Sequence, residues 1–237
     1  MVLFYSPEIS NADNFLSEEE SFHCIKVLRK SIGDTIHVTD GKGSLFTATI
    51  TQANIQQCEY KINNVEEEYG IKPYQLQIGI CPTKNNKRFE WFLEKATEVG
   101  VDVITPIICN NSERREVKPD RLKKVAVVAM KQSLKTYLPL IEPAINFKDF
   151  LTKTPISANE QRFIANQDPS HSFLIGKYEP GCNATVLIGP EGDFDQDELA
   201  LAKTSGFDMV NLGHSRLRTE TAGLVACTTI GLVNDAR

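Results

Sequence analysis

The sequence lacks the patterns that mark several large classes of protein. Its apolar runs fall short of the roughly 18–20 residues that a membrane-spanning helix needs, and its first residues have neither the basic start nor the apolar stretch of a secretory signal. The six cysteines and four histidines are scattered, without a C-x-x-C pair or ligand-like spacing. We therefore expect a reduced, soluble, cytoplasmic protein without a membrane segment or a metal site.

Three common signatures of catalytic domains are also missing. The chain contains no G-x-G-x-x-G that follows a strand, no G-x-x-x-x-G-K-[ST] and no G-x-S-x-G. An ordinary dinucleotide-binding fold, a P-loop enzyme and an α/β-hydrolase are therefore not indicated.

An overall excess of positive charge is absent, but the charge is unevenly distributed. The formal net charge is −5, yet residues 84–135 carry 12 basic and 7 acidic side chains. The flanking parts, 1–72 and 136–237, carry 6 basic against 11 acidic and 8 against 13. The basic third is either an ordinary solvated helix surface or a patch that contacts phosphates.

The first 70 residues are patterned mainly as β structure. Residues 35–39 alternate as in a strand and meet the turn Asp40-Gly41-Lys42-Gly43, after which residues 45–50 and 58–65 form further strands. Residues 17–30 predict one helix, capped by Ser17 with Glu20 three residues later. A small β-barrel is the simplest architecture for this part.

A polar, charged stretch that ends at Pro73 separates this part from the rest of the chain. We therefore divide the chain into domains at residues 1–70 and 73–237. Beyond the stretch, strands and helices alternate, which favours an α/β domain with a mainly parallel sheet. The predicted strands lie at 75–81, 101–108, 162–166, 186–188 and 207–212, and the predicted helices at about 84–100, 119–139, 195–206 and 219–233.

Two glycine-containing loops stand out in the last 50 residues. An apolar run at 186–188 leads into Gly189-Pro190-Glu191-Gly192-Asp193, and another at 209–212 leads into residues 213–222. Ligands bind outside the carboxyl ends of strands in such folds, and glycines let the backbone approach them closely. Four apolar side chains could enclose a flat ring: Leu187, Ile188, Leu212 and Leu217. The residues alone allow a small-molecule site or simply two tight turns around an arginine pair.

The same loops resemble the signature of the ribosomal RNA small subunit methyltransferase E family, in the SPOUT class of S-adenosylmethionine-dependent enzymes. The resemblance rests on I-G-P-E-G at 188–192 and on L-G at 212–213 followed by L-R-T-E-T-A at 217–222. It continues upstream in V-L-R at 27–29, K-A-T-E-V-G-V at 95–101 and Q-S at 132–133. It therefore spans nearly the whole chain in the right order.

The resemblance implies a fold and a reaction that the residue patterns alone do not show. The fold would be a C-terminal α/β domain with a SPOUT-type trefoil knot, preceded by a PUA-like RNA-binding β-barrel. The reaction would be methylation of N3 of one uridine in 16S rRNA within the small ribosomal subunit, by a homodimer that binds S-adenosyl-L-methionine. Small residues along the last helix, among them Ala222, Gly223 and Ala226, favour close packing within the monomer or across such a dimer.

The resemblance and the chemistry together assign roles to individual residues. Arg218 is the first candidate for stabilising charge on the uracil, and Glu191 or Glu220 for orienting the site or accepting the proton; Glu220 could equally be a carboxylate favoured by the helix dipole. The cofactor would contact Leu187, Ile188, Gly189, Pro190, Glu191, Gly192, Leu212, Gly213, Ser215, Leu217, Arg218 and Thr219. RNA phosphates would contact Lys84, Lys87, Arg88, Arg114 and Arg115, with His23 and Arg29 from the first domain.

Some positions depart from the family's common pattern. Ser215, followed by Arg216, stands where an arginine is frequent, Lys135 replaces another arginine, and Asp193 replaces a second glycine. An arginine-to-lysine change loses bidentate phosphate geometry. These positions affect the roles of individual arginines and not the resemblance itself. Two alternative functions also stay open: a non-catalytic RNA-binding factor of ribosome assembly, and a methyltransferase that acts on another RNA base.

Overall fold

The computed structural model describes residues 1–9, 14–153 and 159–236. The chain divides into two compact units, one formed by Met1–Ile71 with Val127–Leu138 and the other by Lys72–Ala126 with Pro139–Arg237. The division expected from the sequence, at residues 70 and 73, places residues 127–138 in the second unit, whereas the structure groups them with the first.

The first unit is built on a curled β-sheet, which has five strands within the described residues. The strands are β1 (Leu3–Tyr5), β2 (Asn14–Phe15), β3 (Thr35–Thr39), β4 (Leu45–Gln52) and β5 (Glu59–Glu66), in the order β1-β3-β4-β5-β2. β1 pairs with β3 in parallel, and the other pairs are antiparallel. The alternation of side chains buries Ile36 and Val38 against Ala48 and Ile50. The predicted hairpin and third strand are confirmed.

The predicted helix at 17–30 is present but irregular. It begins as α1 (Glu18–Phe22), with the Ser17 hydroxyl accepting a hydrogen bond from the Glu20 amide at 3.3 Å, and continues as a π-helical turn over His23–Val27. Arg29 adopts a positive φ of 57°. The Glu20 side chain does not act in the capping box that the spacing predicts; it is buried and pairs with Lys131.

Hydrogen bonds explain why residues 127–138 belong to the first unit. The Gly43 amide donates to the Thr136 carbonyl at 3.0 Å, and the Thr136 hydroxyl donates to the Tyr69 carbonyl at 2.5 Å. Lys42 and Tyr137 also form an isolated β-bridge. These contacts join residues almost 70 to 100 positions apart, and sequence periodicity carries no information about them.

The second unit is built on a parallel sheet, with seven strands within the described residues. Its strands are β6 (Leu76–Ile80), β7 (Val103–Ile108), β8 (Leu140–Ile141), β9 (Ile145–Asn146), β10 (Glu160–Ala165), β11 (Asn183–Ile188) and β12 (Asp208–Val210). The order is β12-β10-β11-β6-β7-β8, and β9 pairs with β7. Every pair is parallel. The predicted α/β class is confirmed.

Helices α2 (Asn86–Val99), α3 (Pro119–Gln132), α4 (Phe147–Lys153), α5 (Leu174–Lys177), α6 (Gln196–Thr204) and α7 (Thr219–Asp235) complete the described structure. Gly100 ends α2 with a φ of 111°, and Asp195 with Glu198 forms the predicted capping box of α6. The expectation that α3 continues to Pro139 is wrong. The helix ends at Gln132, because the chain turns at Leu134, whose φ is 56°.

The core on one side of this sheet is formed largely with α2 and α7. Gly223 of α7 lies so close to α2 that a Cβ atom there would be 2.6 Å from the Phe92 ring and 2.9 Å from Ile80. At this residue the small face of the last helix therefore packs within the chain. Among the helices of the described ranges, none combines the length and apolar character needed to cross a membrane.

Candidate functional site

A cavity of about 410 Å³ lies in the second unit, where the loops after β11, β10 and β12 come together. These three strands are neighbours in the sheet and run in parallel, so their carboxyl ends meet at one edge. This edge is where ligands bind in open α/β sheets. The lining residues are Arg88, Ala165, Asn166, Gln167, Ile188, Gly189, Pro190, Glu191, Asp193, Asn211, Leu212, Gly213, Ser215, Arg216, Leu217, Arg218, Thr219 and Ala222.

The loop after β11 is tightly packed against its own chain. A Cβ atom on Gly189 would lie 3.1 Å from the Phe194 ring, closer than ordinary contact allows. The side-chain amide of Asn111 donates to the Gly192 and Asp193 carbonyls at 3.3 and 3.0 Å. The Glu191 carboxylate accepts a hydrogen bond from the Lys84 amide at 3.1 Å. The backbone of this cavity wall is therefore held in place from two neighbouring loops.

The loop after β12 depends on a glycine for its backbone conformation. Gly213 has a φ of 147°, which side-chain-bearing residues rarely adopt, although there is open space around it. Where the loop enters α7, the Thr219 hydroxyl donates to the Gly189 carbonyl at 3.0 Å. The two glycine loops, which the sequence places 20 residues apart, are therefore joined directly.

The loop after β10 forms a third wall, which the sequence analysis did not assign to the site. Asn166 and Gln167 line the cavity. The chain that follows is held by the side-chain amide of Asn211, which donates to the Asp168 carbonyl at 2.6 Å. Hydrogen bonds from the Ser170 amide and hydroxyl lower the pKa of Asp168. The available signal was the polar stretch directly after a predicted strand, but the position of that strand between β11 and β12 is not visible in the sequence.

Three arginines line the cavity: Arg88, Arg216 and Arg218. Arg88 lies in the first turn of α2, and its Nε is 3.7 Å from Oε1 of Glu220 in the first turn of α7. The Glu220 side chain is only 9% exposed, whereas that of Arg88 is 43% exposed. A nearly buried carboxylate thus holds a cation that reaches the cavity.

Most of the residues expected to bind a cofactor do line this cavity. The exceptions are Leu187 and Gly192. Leu187 follows the strand alternation, so its side chain lies on the opposite face of the sheet from Ile188. It contacts Gly79 there, in a second core that contains Phe147 and Phe150. The Leu187 side chain is fully buried there, away from the cavity, so it does not form the apolar wall expected of it. Gly192 packs on Asn111 instead.

The three candidate catalytic residues occupy different positions. Arg218 and Glu191 are exposed and line the cavity. Glu220 is nearly buried and is not among the lining residues, but it pairs with Arg88, which is.

The expected RNA-binding residues fall into two groups. Lys84, Lys87, Arg114 and Arg115 lie in the second unit, and His23 and Arg29 lie in the first. The Arg114 guanidinium donates to the Lys84 carbonyl at 3.2 Å, while the Lys84 ammonium pairs with Glu113 at 2.8 Å. That pairing raises the pKa of Lys84. Arg115 donates to the Asn110 carbonyl at 3.3 Å. Arg88, expected to meet RNA phosphates, lines the cavity itself.

A smaller groove of about 310 Å³ adjoins the loop after β12 and is mostly apolar. It is lined by Phe173, Leu174, Ile175, Asn211, Leu212, Gly213, His214 and Thr229. Ile175 is 65% exposed, and Leu232, one helical turn after Thr229, is 61% exposed. Two large apolar side chains are therefore exposed to solvent on α5 and α7.

The geometry suits a ligand with one flat apolar part and one polar part. Ile188, Leu212 and Leu217 supply apolar walls, the glycine loops supply backbone groups, and the arginines supply positive charge. Within the described ranges, no group of three or more histidine, cysteine or acidic side chains is arranged to hold a metal ion.

Comparison with known proteins identifies the families that the two parts of the chain match. Residues 71–231 match the model of the RNA methyltransferase domain, and residues 16–62 match that of the RNA methyltransferase PUA domain. The ribosomal RNA small subunit methyltransferase E of Rickettsia conorii is 28% identical over 226 residues, which cover 92% of this chain and 89% of the relative.

Two solved structures are similar over nearly their whole length. One is described as a "probable rRNA-methyltransferase" from Porphyromonas gingivalis, with 40% identity, a TM-score of 0.93 and coverage of 100% of this chain and 99% of the other. The second is a ribosomal RNA small subunit methyltransferase E from Neisseria gonorrhoeae bound to S-adenosyl methionine, with 27% identity, a TM-score of 0.88 and coverage of 99% and 98%.

Proposed function

Because this chain belongs to the RNA methyltransferase family, we propose that it transfers a methyl group from S-adenosyl-L-methionine to N3 of one uridine in 16S rRNA of the small ribosomal subunit. The observation that carries this proposal is the cavity at the carboxyl ends of β11, β10 and β12, where both glycine loops meet. The relatives named for the small subunit and the related structure bound to the cofactor support it.

The cavity fits S-adenosyl-L-methionine by its chemistry. The apolar side chains of Ile188, Leu212 and Leu217 suit the adenine ring, and backbone groups of the loops suit its polar edge. Gly189 and Gly213 allow the main chain to approach the ligand without a side chain in between. When bound, this cofactor supplies a methyl group on a positively charged sulfur.

The chain's own residues would supply positioning and charge. The N3 atom of uracil is an imide nitrogen that must lose its proton before it attacks the methyl carbon, and the base must leave its Watson–Crick pair to expose that atom. As the C–S bond breaks and the C–N3 bond forms, Arg218 would stabilise negative charge on the uracil oxygens. Glu191, exposed at the cavity, is the carboxylate suited to receive the N3 proton.

RNA would be held mainly by phosphate contacts around the cavity. Lys84, Lys87, Arg114 and Arg115 belong to the loops after β6 and β7 and to the start of α2. Lysine and arginine bind phosphates without reading sequence, so they fix the position of the strand while the cavity selects the base. His23 and Arg29, in the unit that matches the PUA domain, would also bind RNA phosphates.

The finer features of fold and assembly belong to the same proposal. The parallel order β12-β10-β11-β6, in which β10 lies between two later strands, is compatible with a trefoil knot of the SPOUT type.

The groove beside the loop after β12, with exposed Ile175 and Leu232, suits a homodimer contact next to the cofactor. The curled sheet of the first unit would close as a PUA-like barrel, and the site of action would be the cytoplasm.

Two experiments test the proposed function. Calorimetric titration of the purified protein with S-adenosyl-L-methionine should show binding, and absence of binding would favour a non-catalytic assembly factor. Mass spectrometry of 16S rRNA from a strain that lacks the gene should show the loss of one 3-methyluridine, restored by the wild-type gene. Loss of a different methylated nucleoside would instead indicate another base as the substrate.

A further inference from the structure

The pair formed by Arg88 and Glu220 suggests a division of roles that the sequence did not predict. We propose that Arg88 contacts the target uracil and stabilises its N3 anion, and that Glu220 is a positioning residue that acts through Arg88. This inference rests on the proposed function and adds to Arg218 a second cation, from outside the two glycine loops, for the electrostatic part of the reaction.

The position of Arg88 is the first support. It lies in the first turn of α2, a helix capped at Asn85 and packed in the core through Phe89 and Phe92. Its backbone is therefore rigid, and its side chain lines the cavity. Arg88 is therefore placed to contact a molecule in that cavity.

The burial of Glu220 is the second support. Glu220 is 7% exposed, and its carboxylate lies 3.7 Å from the Arg88 guanidinium. A buried carboxylate is costly unless charges and hydrogen bonds compensate it, and here the cation and the N-terminal turn of α7 do so. The pair links Arg88 to the first turn of α7, while the Arg88 side chain also lines the cavity.

The chemistry explains why a fixed arginine helps. The N3 proton leaves uracil before the methyl transfer, so negative charge develops on N3 and is shared with the adjacent carbonyl oxygens. A guanidinium always remains protonated and cannot take that proton, but it can stabilise the anion through a rigid fork of donors. Glu220, which does not line the cavity, then has no need to receive the proton. Arg88 and Arg218, from two different helix starts, would approach the base together.

The test is a double-mutant cycle of Arg88→Ala and Glu220→Gln, assayed on undermethylated small ribosomal subunits with S-adenosyl-L-methionine. We expect Arg88→Ala to lower kcat roughly 100-fold and Glu220→Gln about tenfold, both with little change in calorimetric affinity for the cofactor. The double variant should be no slower than Arg88→Ala alone. Arg88→Lys should recover only part of the loss.

The pH dependence of kcat separates this account from a merely structural role. Without Arg88 the bound uracil loses its proton only at higher pH, so the rise of kcat with pH should move upward in Arg88→Ala and keep its position in Glu90→Gln. Glu90 is a matched control because it lies on α2, like Arg88, and forms an ion pair at 2.9 Å with Arg121 of α3, away from the cavity lining.

The outcomes are distinguishable. In one outcome the losses of kcat multiply in the double variant, and the rise of kcat with pH disappears in Glu220→Gln. Glu220 would then be the proton acceptor, which would overturn the inference. Unchanged kcat in Arg88→Ala would overturn it as well. Arg88→Ala could be unstable because Glu220 is left unpaired. The double variant, which removes both charges, is then compared with Glu220→Gln, and equal kcat values in these two variants would overturn the inference. An inactive wild-type protein would instead contradict the proposed function itself.

Discussion

The hydroxyl of Thr219, at the first position of the last helix, donates a hydrogen bond to the carbonyl of Gly189 at 3.0 Å. This bond joins the wall that follows β11 to the wall that follows β12, across the width of β10. The shape of the candidate cofactor site therefore depends on a contact between two loops that are separated in the sequence.

Replacing Thr219 with Val should weaken cofactor binding while leaving the fold intact. The isosteric change removes one intramolecular hydrogen bond, which contributes about 0.5–1.5 kcal/mol, so the Kd measured by calorimetry should rise up to about tenfold. Thr228→Val is the control, since its hydroxyl donates to the Leu224 carbonyl within the same helix and not to a loop. Equal effects of the two changes would contradict the role of Thr219.

Gly189→Val should abolish cofactor binding more completely. A Cβ atom at this position already lies 3.1 Å from the Phe194 ring, so the branched side chain must displace the loop or enter the cavity. Gly176→Val is a suitable control, because no atom lies within 4 Å of a Cβ at that glycine. Calorimetric binding that is unchanged in Gly189→Val would refute the loop site.

Gly223→Ala should destabilise the second unit. The added methyl group would lie 2.6 Å from Phe92 and 2.9 Å from Ile80, and overpacking of this kind costs about 1–3 kcal/mol. Gly231→Ala in the same helix meets its nearest atom at 3.9 Å and should be neutral or slightly stabilising. The free energy of unfolding in urea measures both, and an equal loss in the two variants would contradict the close packing of α7 on α2.

The stability of the protein should fall at acid pH partly through Asp195. Hydrogen bonds from the Asn110 side chain and the Glu198 amide lower the pKa of this helix cap. Its contribution is therefore present above the ordinary aspartate pKa and is lost as the pH falls through the lowered value. Asp195→Ala should lower the Tm at neutral pH and flatten the decline below about pH 4. Asp197→Ala removes a charge from the same turn but keeps the cap, and it should not flatten the decline.

Removal of Arg115 should weaken RNA binding and reduce its dependence on salt. If this guanidinium contacts one phosphate, the slope of log K against log salt should become shallower by about 0.7–0.9. Lys203→Ala removes an exposed cation from the last turn of α6 and should leave the slope unchanged. A filter-binding series with small-subunit RNA at several salt concentrations measures both slopes.

Local signals in the sequence were sufficient for much of the secondary structure. The turn at Asp40-Gly41, the αL glycine at position 100 and the capping box at Asp195 each act through neighbouring residues, and each is found where the pattern predicts it. Leu134 shows the limit. Its positive φ ends α3 before Pro139, and no residue type announces that conformation.

The site was predictable in its two glycine loops but not in its other walls. The order of the strands, with β10 between β11 and β12, arises from long-range pairing, so the role of Asn166 and Gln167 could not be read from spacing. The same holds for Arg88, which a local reading groups with the other basic residues near Lys84. The direction of the Leu187 side chain could not be predicted, because both faces of a buried parallel strand are apolar and no polar residue marks the face toward the cavity.

The most direct measurement is methyl transfer by the purified protein to undermethylated small ribosomal subunits, followed by nuclease digestion and mass spectrometry of the nucleosides. With S-adenosyl-L-methionine present, our account predicts one 3-methyluridine per subunit for the wild-type protein and none for Gly189→Val. Methylation that persists in Gly189→Val, or no methyluridine with the wild-type protein, would contradict the assignment of the carboxyl-end cavity as the site of the reaction.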